Sequence, residues 1–496
     1  PVGSIGYVKG FGGLVAADEP QAVVAARDVL SAGGSAADAA VALSFTLAVT
    51  QPSTASLGGG GICMVHDRDK KTTEVLDFLT RPGSGGGEGR VASGIPGNVR
   101  GFYALHAKYG KLRWEGLQGE GERLARLGMP VSRAFAADLV VGSRLLAADP
   151  IARQAFVPDG RSLTEGQIIE QRDLAALISR IRRAPGDLYT GTFAQSVAAA
   201  AQSVGGTLTA TDLHNMRPVF EPALTVKMGD DVAYFAPPPA VAGAVAARLQ
   251  AALQDRWAAA SEDERPHLMA EAAARAVAER GTWMNPDGSA RAPLPAESAA
   301  ALMAGYDPNR HQPVQGERPA DALPAAGFVV LDGDGNAVAC NVTTHGLFGT
   351  GRMLPGLGIF LAAVPGVNSG PPAVGPVMVV NPNVREVRFA AAASGGITAP
   401  TALEQVLLAT LVEGKPLEQA VAAPRIHHSG NPDLAFVEEG KGDPAPLARR
   451  GHQVKALALP GRVNAVQCAS GRPSFQRCQV AADPRGFGMS AVVGKD

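Results

Sequence analysis

The sequence has no excess of charge of either sign and no long apolar run. Its 45 basic and 46 acidic residues give a formal net charge of −1 at pH 7. No block of like charges interrupts this balance, so we predict no nucleic-acid partner. No window approaches the roughly 18 consecutive apolar residues of a transmembrane helix, so we predict no membrane partner either.

Cysteine is scarce, with Cys63, Cys340, Cys468 and Cys478 as its four occurrences. They form no CxxC pair and no metal-binding signature. Cys468 and Cys478 could pair across a hairpin, but the burial preference of free cysteine favours four buried thiols. Residues 1–13 lack a basic stretch followed by an apolar core and do not resemble a signal peptide. A signal removed before this numbering would leave no trace, so the cytoplasm and the periplasm both stay open.

The composition predicts a globular protein with a large core. Hydrophobic residues make up 46% and charged residues 18% of the 496 residues, and 60 glycines with 37 prolines predict many turns. The length fits one large intertwined domain or two to three smaller ones.

Apolar periodicity predicts an α+β chain. Ser35 and Asp38 form a capping-box pattern at the start of an alanine-rich helix, and glycine turns separate short apolar runs. The middle of the chain is predicted to be mainly helical. Two strand-rich blocks separated by helices favour a layered α+β fold over a doubly wound parallel sheet. The predicted elements include helices at 21–30 and 36–49, a hairpin of 62–65 with 72–78, and a hairpin of 328–331 with 337–342.

Several motifs of known chemistry are absent. The sequence has no GxxxxGK[ST] phosphate loop, no HExxH zinc helix and no GxSxG nucleophile elbow. His427 and His428 lack carboxylates or cysteines at ligand spacing, so we predict a structural role for them. The residues thus predict no metal and no cofactor.

The remaining patterns resemble the γ-glutamyltranspeptidase family of N-terminal-nucleophile hydrolases. Each pattern alone is unspecific, but all occur in the family's order along nearly the whole chain. They lie at residues 33–42, 51–52, 57–61, 76–78, 94–97, 108–112, 205–209, 334–338, 348–351, 394–396, 423–428 and 483–485.

The resemblance implies a four-layer αββα sandwich with antiparallel sheets. It implies a bacterial hydrolase or transferase for a small-molecule amide or acyl substrate, made as a zymogen that cleaves itself. Residues 1–324 would be the large-subunit-like segment and 325–496 the small-subunit-like segment, both intertwined in one domain. The resemblance implies no cofactor and leaves an oligomer open. In the family, the threonine that opens the small subunit is the nucleophile, and its own α-amine is the base.

The nucleophile position falls on Ala325, counting back from the turn at Asp334. A methyl group can neither attack a carbonyl nor start the N-to-O acyl shift, so we expect an uncleaved, inactive chain. Natural loss of the nucleophile and replacement of a native threonine both account for this alanine. Gly395 and Gly396 match the family's oxyanion hole, whose N–H groups serve any acyl transfer, although a tight turn would also require glycine.

Other positions depart from the family's glutamyl-binding pattern. Leu79 replaces the arginine that grips the substrate α-carboxylate, and Arg81 is the substitute candidate. Ala362 and Ala363 replace an acidic pair, and His345 replaces an asparagine that contacts the nucleophile. Burying a zwitterionic glutamyl group without these partners is costly, so we expect a non-glutamyl substrate.

Thr343, His345 and Ser394 complete the predicted substrate-binding set. Thr343 and His345 are two positions apart on a strand, where side-chain directions alternate, so both would lie on the same face. His345 could then take a proton from the Thr343 hydroxyl. A hydrogen-bonded polar strand end is the alternative. Ser394 belongs to the same family motif as Gly395 and Gly396.

Two functional hypotheses remain at this stage. The first is an amidohydrolase or acyltransferase with a non-glutamyl substrate, seen without its nucleophile. The second is a catalytically dead pseudoenzyme that serves as a binding or scaffolding protein. The retained Gly395 and Gly396 favour the first hypothesis, whereas the joint loss of the threonine and the charge-binding residues favours the second if Ala325 is natural.

Overall fold

Two antiparallel sheets stacked face to face form the centre of the molecule. The computed structural model describes residues 9–294, 299–316, 318–320, 324–366, 369–458 and 461–495. In that part of the chain, no helix is long and apolar enough to cross a membrane.

The first sheet has seven strands, all paired antiparallel. In spatial order they are β18 (Met489–Lys495), β1 (Gly10–Ala17), β9 (Ala326–Asp332), β10 (Ala337–Thr343), β2 (Gly60–Asp67), β3 (Thr72–Asp77) and β6 (Val219–Pro222). Strands from both sides of residue 325 are therefore neighbours in this sheet.

The second sheet has six antiparallel strands. In spatial order they are β17 (Cys478–Ala481), β16 (Arg462–Cys468), β12 (Glu386–Ser394), β11 (Val377–Asn381), β8 (Asp231–Phe235) and β7 (Leu224–Met228). Two small sheets join β13 (Ile426–His428), β14 (Ala435–Glu438) and β15 (Val454–Leu457), and β4 (Met129–Pro130) with β5 (Ile168–Ile169).

Helices cover the outer faces of both sheets. In chain order they are α1 (Pro20–Ser31), α2 (Ala36–Thr50), α3 (Pro52–Ala55), α4 (Asn98–Tyr109), α5 (Trp114–Leu117), α6 (Gly119–Leu127), α7 (Arg133–Ala148), α8 (Pro150–Phe156), α9 (Arg172–Arg183), α10 (Gly191–Ser203), α11 (Ala210–Asn215), α12 (Val241–Ala259), α13 (Arg265–Trp283), α14 (Ala299–Leu302), α15 (Ala399–Leu411), α16 (Leu417–Ala422) and α17 (Ala445–Ala448).

The alternation of side chains along each strand produces the layers. Val329 and Leu331 of β9 pack against Met378 of β11 in the core between the sheets. Phe328 and Val330 point the other way, into the core under α2 and α4. A third core joins the outer face of the second sheet to α12, α15 and α16. The predicted four-layer αββα sandwich is confirmed.

Local patterns were the reliable part of the prediction. The capping box is confirmed, because the Ser35 hydroxyl accepts from the Asp38 N–H and the Asp38 carboxylate accepts from the Ser35 N–H. Both predicted hairpins are confirmed as β2–β3 and β9–β10. The prediction of a mainly helical middle misses three strands, β6 to β8. Much of the surface of β6 and β7, the edge strands of their sheets, is exposed. All three strands are only four or five residues long, so their apolar signal is weak.

The prediction of buried free thiols is wrong, because all four cysteines form disulfides. Cys63 on β2 bonds Cys340 on β10, and Cys468 on β16 bonds Cys478 on β17. In each pair the two residues are directly opposite one another on neighbouring antiparallel strands, with Cα atoms 4.1 Å apart. The first bridge joins residues 277 positions apart, so only the sheet order reveals it.

We expect no free thiols in the denatured, unreduced protein and four after reduction, measured with a thiol-reactive chromophore. Alkylation before and after reduction, followed by peptide mass spectrometry, should recover the Cys63–Cys340 and Cys468–Cys478 pairs. Four reactive thiols before reduction would contradict the pairing.

Glu404 of α15 is a buried carboxyl group that no hydrogen bond stabilises within the described residues. Its side chain is fully buried, and neither oxygen has a hydrogen-bond partner within the described chain. Burial raises the pKa of Glu404 well above its ordinary value of 4.5. The folded protein therefore keeps a proton that the unfolded chain releases above that pH, so stability is lost as the pH rises.

We expect Glu404→Gln to raise the free energy of unfolding at pH 7 by about 1–3 kcal/mol. The gain should shrink as the pH is lowered to 4, where the glutamate is protonated in both states. Denaturant unfolding at both pH values measures the change, with Glu418→Gln as the control, because Glu418 is an exposed glutamate on α16. An equal effect of Glu404→Gln at both pH values would rule out this linkage.

Candidate active site

Position 325 lies directly before β9, at the edge of the core between the sheets. Ala325 is buried, with 1% of its surface exposed. The hydroxyl of Thr343, at the end of β10, donates to the carbonyl oxygen of Pro324 at 2.8 Å. This bond holds the chain before β9 against the neighbouring strand.

Gly395 and Gly396 follow β12 at a sharp strand-to-helix turn. Their φ angles are +116° and +62°, a region that residues with a Cβ rarely adopt. The turn continues into α15. Both glycines line the same cavity as Ala325, so the structure brings the three predicted catalytic positions together.

The cavity beside Ala325 has a volume of about 660 Å³ and both polar and apolar walls. Its charged lining residues are Asp138, Arg318 and Arg462. Its apolar lining includes Val141, Leu347, Ile397, Phe436 and Leu457.

Asp18 is a site residue that the sequence did not reveal. It is 4% exposed and lies between β1 and α1. Its Oδ2 accepts from the N–H of Gly327 at 3.0 Å and from the hydroxyl of Ser394 at 3.3 Å, while Oδ1 accepts from the Asn464 amide at 2.8 Å. The guanidinium of Arg462 lies 3.8 Å away. The sequence signal was ambiguous, because Asp18 and Glu19 directly precede Pro20, and acidic residues before a proline also fit an ordinary helix start.

Asp138 of α7 was missed as well. Its Oδ2 accepts from the Ser53 hydroxyl at 2.6 Å and from the Gln51 amide at 3.1 Å. Burial raises the pKa of the Asp138 carboxyl, while Ser53, Gln51 and the charge of Arg462 act in the opposite direction. A carboxylate thus faces the cavity in a fixed orientation. Nothing in the local helical pattern distinguished it from an exposed polar residue.

The predicted substrate-binding residues lie in three different surroundings. Ser394 contacts both Asp18 and Arg462, since its hydroxyl also accepts from Arg462 Nε at 3.3 Å. Arg81 is paired with Asp77 at 2.6 Å and donates to the Leu79 carbonyl. It is not among the residues that line the cavity.

Thr343 and His345 make contact through the main chain. The N–H of His345 donates to the Thr343 hydroxyl at 2.9 Å. Burial lowers the pKa of the His345 imidazole to about 4, and its Nε2 has no hydrogen-bond partner among the described residues. The imidazole is therefore neutral near pH 7. The observed contact does not involve its ring.

A sequence profile described as Gamma-glutamyltranspeptidase matches residues 22–363 and 373–493. The Glutathione hydrolase proenzyme of Escherichia coli (strain K12) is 29% identical over 97% of this chain and 90% of its own length. The Pseudomonas aeruginosa protein of the same name is 28% identical, with 97% and 95% covered.

Solved structures agree at the level of the fold. The cephalosporin acylase from Bacillus halodurans superposes with a TM-score of 0.82 at 21% identity, covering 99% of this chain and 97% of its own. The γ-glutamyltranspeptidase of Helicobacter pylori has a TM-score of 0.54 at 22% identity, covering 63% and 95%. With the profile match over nearly the full length, these findings show that the chain belongs to the γ-glutamyltranspeptidase family of N-terminal-nucleophile hydrolases.

Proposed function

We propose that this chain binds a small amide or acyl compound in the cavity beside Ala325 without covalent acyl transfer. The observation that supports this most directly is the buried methyl group at the family's nucleophile position, next to a cavity that stays open. Alanine offers no hydroxyl for attack, and its main-chain nitrogen remains an amide in an uncleaved chain. Ground-state binding requires neither group.

The walls of the cavity define the expected ligand. Asp138 offers an anionic acceptor, whereas Arg318 and Arg462 offer donors for a carbonyl or an anion. Val141 and Leu457 are apolar yet 77% and 36% exposed, as expected for a surface that a ligand covers. We therefore expect an amide with an apolar acyl chain and a donor or cationic group at one end.

A second candidate is an amidohydrolase or acyltransferase whose threonine has been replaced. The position of Gly395 and Gly396 on the same cavity as Ala325 favours it, because an oxyanion hole must face the reacting carbonyl. Arg81, Thr343 and His345 do not line this cavity. Ser394 contributes indirectly, through Asp18 and Arg462.

We also propose an oxidising compartment such as the periplasm. Both pairs of cysteines are bonded, and structural disulfides persist mainly in exported proteins.

Asp138→Asn should remove the preference for a cationic ligand. We would compare N-hexanoyl-1,2-diaminoethane with the neutral N-hexanoyl-ethanolamine by calorimetric titration. The loss of one partly buried ionic contact should raise the Kd of the cationic probe about tenfold and leave the Kd of the neutral probe unchanged. Lowering the pH from 7 towards 4 should weaken binding of the cationic probe only in the unaltered protein, because Asp138 gains a proton and loses its charge. Burial raises the pKa of Asp138, so this loss should begin at a higher pH than for an ordinary aspartate.

Asp28→Asn is the matched control, because Asp28 lies on the exposed side of α1 and pairs with Arg27. It should bind both probes as the unaltered protein does. Equal weakening of both probes by Asp138→Asn would place Asp138 in a structural role and contradict its part in selection.

Ala325→Thr tests the enzymatic candidate. If the surroundings still support the family's chemistry, the chain should cleave between residues 324 and 325, separating the two subunit-like segments. Intact-mass spectrometry follows the reaction. Ala325→Val has nearly the same shape without the hydroxyl and should stay uncut, as should the protein with Ala325 itself.

An uncut Ala325→Thr protein that also fails to hydrolyse amides would eliminate the enzymatic candidate and leave the binding function. Cleavage of the Ala325→Val protein would contradict the assignment of the nucleophile position.

A further inference from the structure

His427 is a buried histidine that lines the cavity beside Ala325. It lies on β13 and is 3% exposed. Phe436, its partner across β13 and β14, lines the same cavity, and the two rings stack with centroids 6.4 Å apart. The sequence-based prediction of a structural role for His427 considered only its neighbours along the chain.

One nitrogen of the His427 ring is bonded to α15. His427 Nδ1 lies 3.0 Å from the hydroxyl oxygen of Thr401, and that hydroxyl lies 3.1 Å from the main-chain carbonyl oxygen of Thr398. A carbonyl oxygen can only accept, so Thr401 donates its single hydroxyl proton to Thr398. The hydroxyl oxygen of Thr401 then accepts from His427 Nδ1–H. Only this arrangement makes both contacts hydrogen bonds.

The other nitrogen, His427 Nε2, is left with a free lone pair. A neutral imidazole carries one proton, and here Nδ1 holds it. Burial lowers the pKa of His427 to about 3, so the ring is neutral near pH 7. Nε2 is buried and has no hydrogen-bond partner among the described residues. Because buried polar atoms are nearly always paired, this nitrogen is an acceptor available to a ligand.

A chain of hydrogen bonds connects the His427 ring to the turn that Gly395 and Gly396 form. The Thr398 carbonyl accepts from Thr401, and the Thr398 hydroxyl donates to the Gly395 carbonyl at 2.9 Å. Thr398 and both glycines line the same cavity as His427. The acceptor nitrogen is therefore held in a fixed position relative to the turn.

Gln405 of α15 fixes the main chain next to His427. Its Nε2 donates to the Ile426 carbonyl at 2.9 Å, and its Oε1 accepts from the Ile426 N–H at 2.9 Å. These two bonds tie β13 to α15, so the imidazole is held through its main chain as well as through Nδ1. A side chain fixed in this way loses little further conformational freedom when a ligand binds.

We propose that His427 selects amides over esters in this cavity, because its Nε2 accepts a hydrogen bond from the amide N–H. This selection rests on the proposed function, the binding of a small amide or acyl compound beside Ala325. An amide has an acceptor and a donor on one planar group, whereas an ester of the same shape has acceptors only. An ester would leave Nε2 unpaired and place an oxygen lone pair against it, which weakens binding.

The surroundings of His427 favour a neutral donor over a cation. Phe436 stacks on the imidazole, and Ile397 and Leu457 add apolar surface to the same cavity. The carboxylate of the cavity belongs to Asp138 on α7, and a cation gains more from that carboxylate than from a neutral imidazole. We therefore expect the amide group of the ligand at His427 and any cationic end at Asp138.

The test compares N-hexanoyl-ethanolamine with 2-hydroxyethyl hexanoate, which has an ester oxygen in place of the amide N–H. Calorimetric titration of the full chain at pH 7 gives both Kd values. One hydrogen bond should make the Kd of the amide about tenfold lower than that of the ester. His427→Asn should bring the ratio of the two Kd values close to one, because asparagine can still donate to Thr401 but has no acceptor at the position of Nε2.

His66→Asn is the matched control, because His66 is a buried histidine on β2 that pairs with Thr73 and does not line this cavity. It should keep the preference of the unaltered protein for the amide. NMR of the protein with ¹⁵N-labelled histidine is a check that needs no ligand. The His427 signals, assigned by their loss in His427→Asn, should show a neutral ring with its proton on Nδ1 at pH 7.

The outcomes distinguish the role of His427 from the proposed function. Equal affinities of the unaltered protein for the two probes, or an unchanged preference in His427→Asn, would overturn the role of His427 and leave the binding function intact. A proton on Nε2 in place of Nδ1 would overturn that role without any ligand. Failure of both probes to bind would contradict the proposed function and the selection that rests on it.

Discussion

The carboxylate of Asp18 joins four segments of the chain behind position 325. It accepts hydrogen bonds from the start of β9, from Ser394 at the end of β12 and from Asn464 on β16, while Asp18 itself lies between β1 and α1. These strands belong to both central sheets. A buried carboxylate is tolerated only when its oxygens are paired. The two sheets must therefore meet in one register, which fixes the main chain next to Ala325 whatever side chain stands there.

Because of this constraint, the main-chain arrangement around position 325 does not depend on a catalytic side chain there. Gly327 reaches Asp18 through its main-chain N–H, and Gly395 and Gly396 depend on main-chain geometry as well. None of these contacts requires a hydroxyl at position 325. On the proposed assignment of position 325, the surroundings of the family's nucleophile persist without its hydroxyl, and the turn at Gly395 and Gly396 is weaker evidence for catalysis than a nucleophile would be.

The sequence predicted what depends on neighbours along the chain. The capping box of Ser35 and Asp38 and the two hairpins follow from local spacing, and the layered fold follows from the order of family motifs. Contacts between distant segments left no local signal. Asp18 fits an ordinary helix start and Asp138 an ordinary residue within a helix, and the Cys63–Cys340 bridge depends on two hairpins being placed side by side. The strands β6 to β8 were missed because each has only four or five residues, and the edge positions of β6 and β7 further weaken the apolar alternation.

The proposed absence of a nucleophile at position 325 would also change the charge around Asp18. In a cleaved family member, residue 325 would begin a chain and its nitrogen would be an amine, which is cationic when protonated. In a chain left uncleaved, as proposed here, that nitrogen is a neutral amide, so an alanine at this position would remove the nucleophile and the base together. The cation that the structure places beside Asp18 is Arg462, at 3.8 Å, and Arg462 also donates to Ser394 and lines the cavity. Asp18 therefore retains a compensating charge, and that charge belongs to a side chain positioned to bind a carbonyl or an anion.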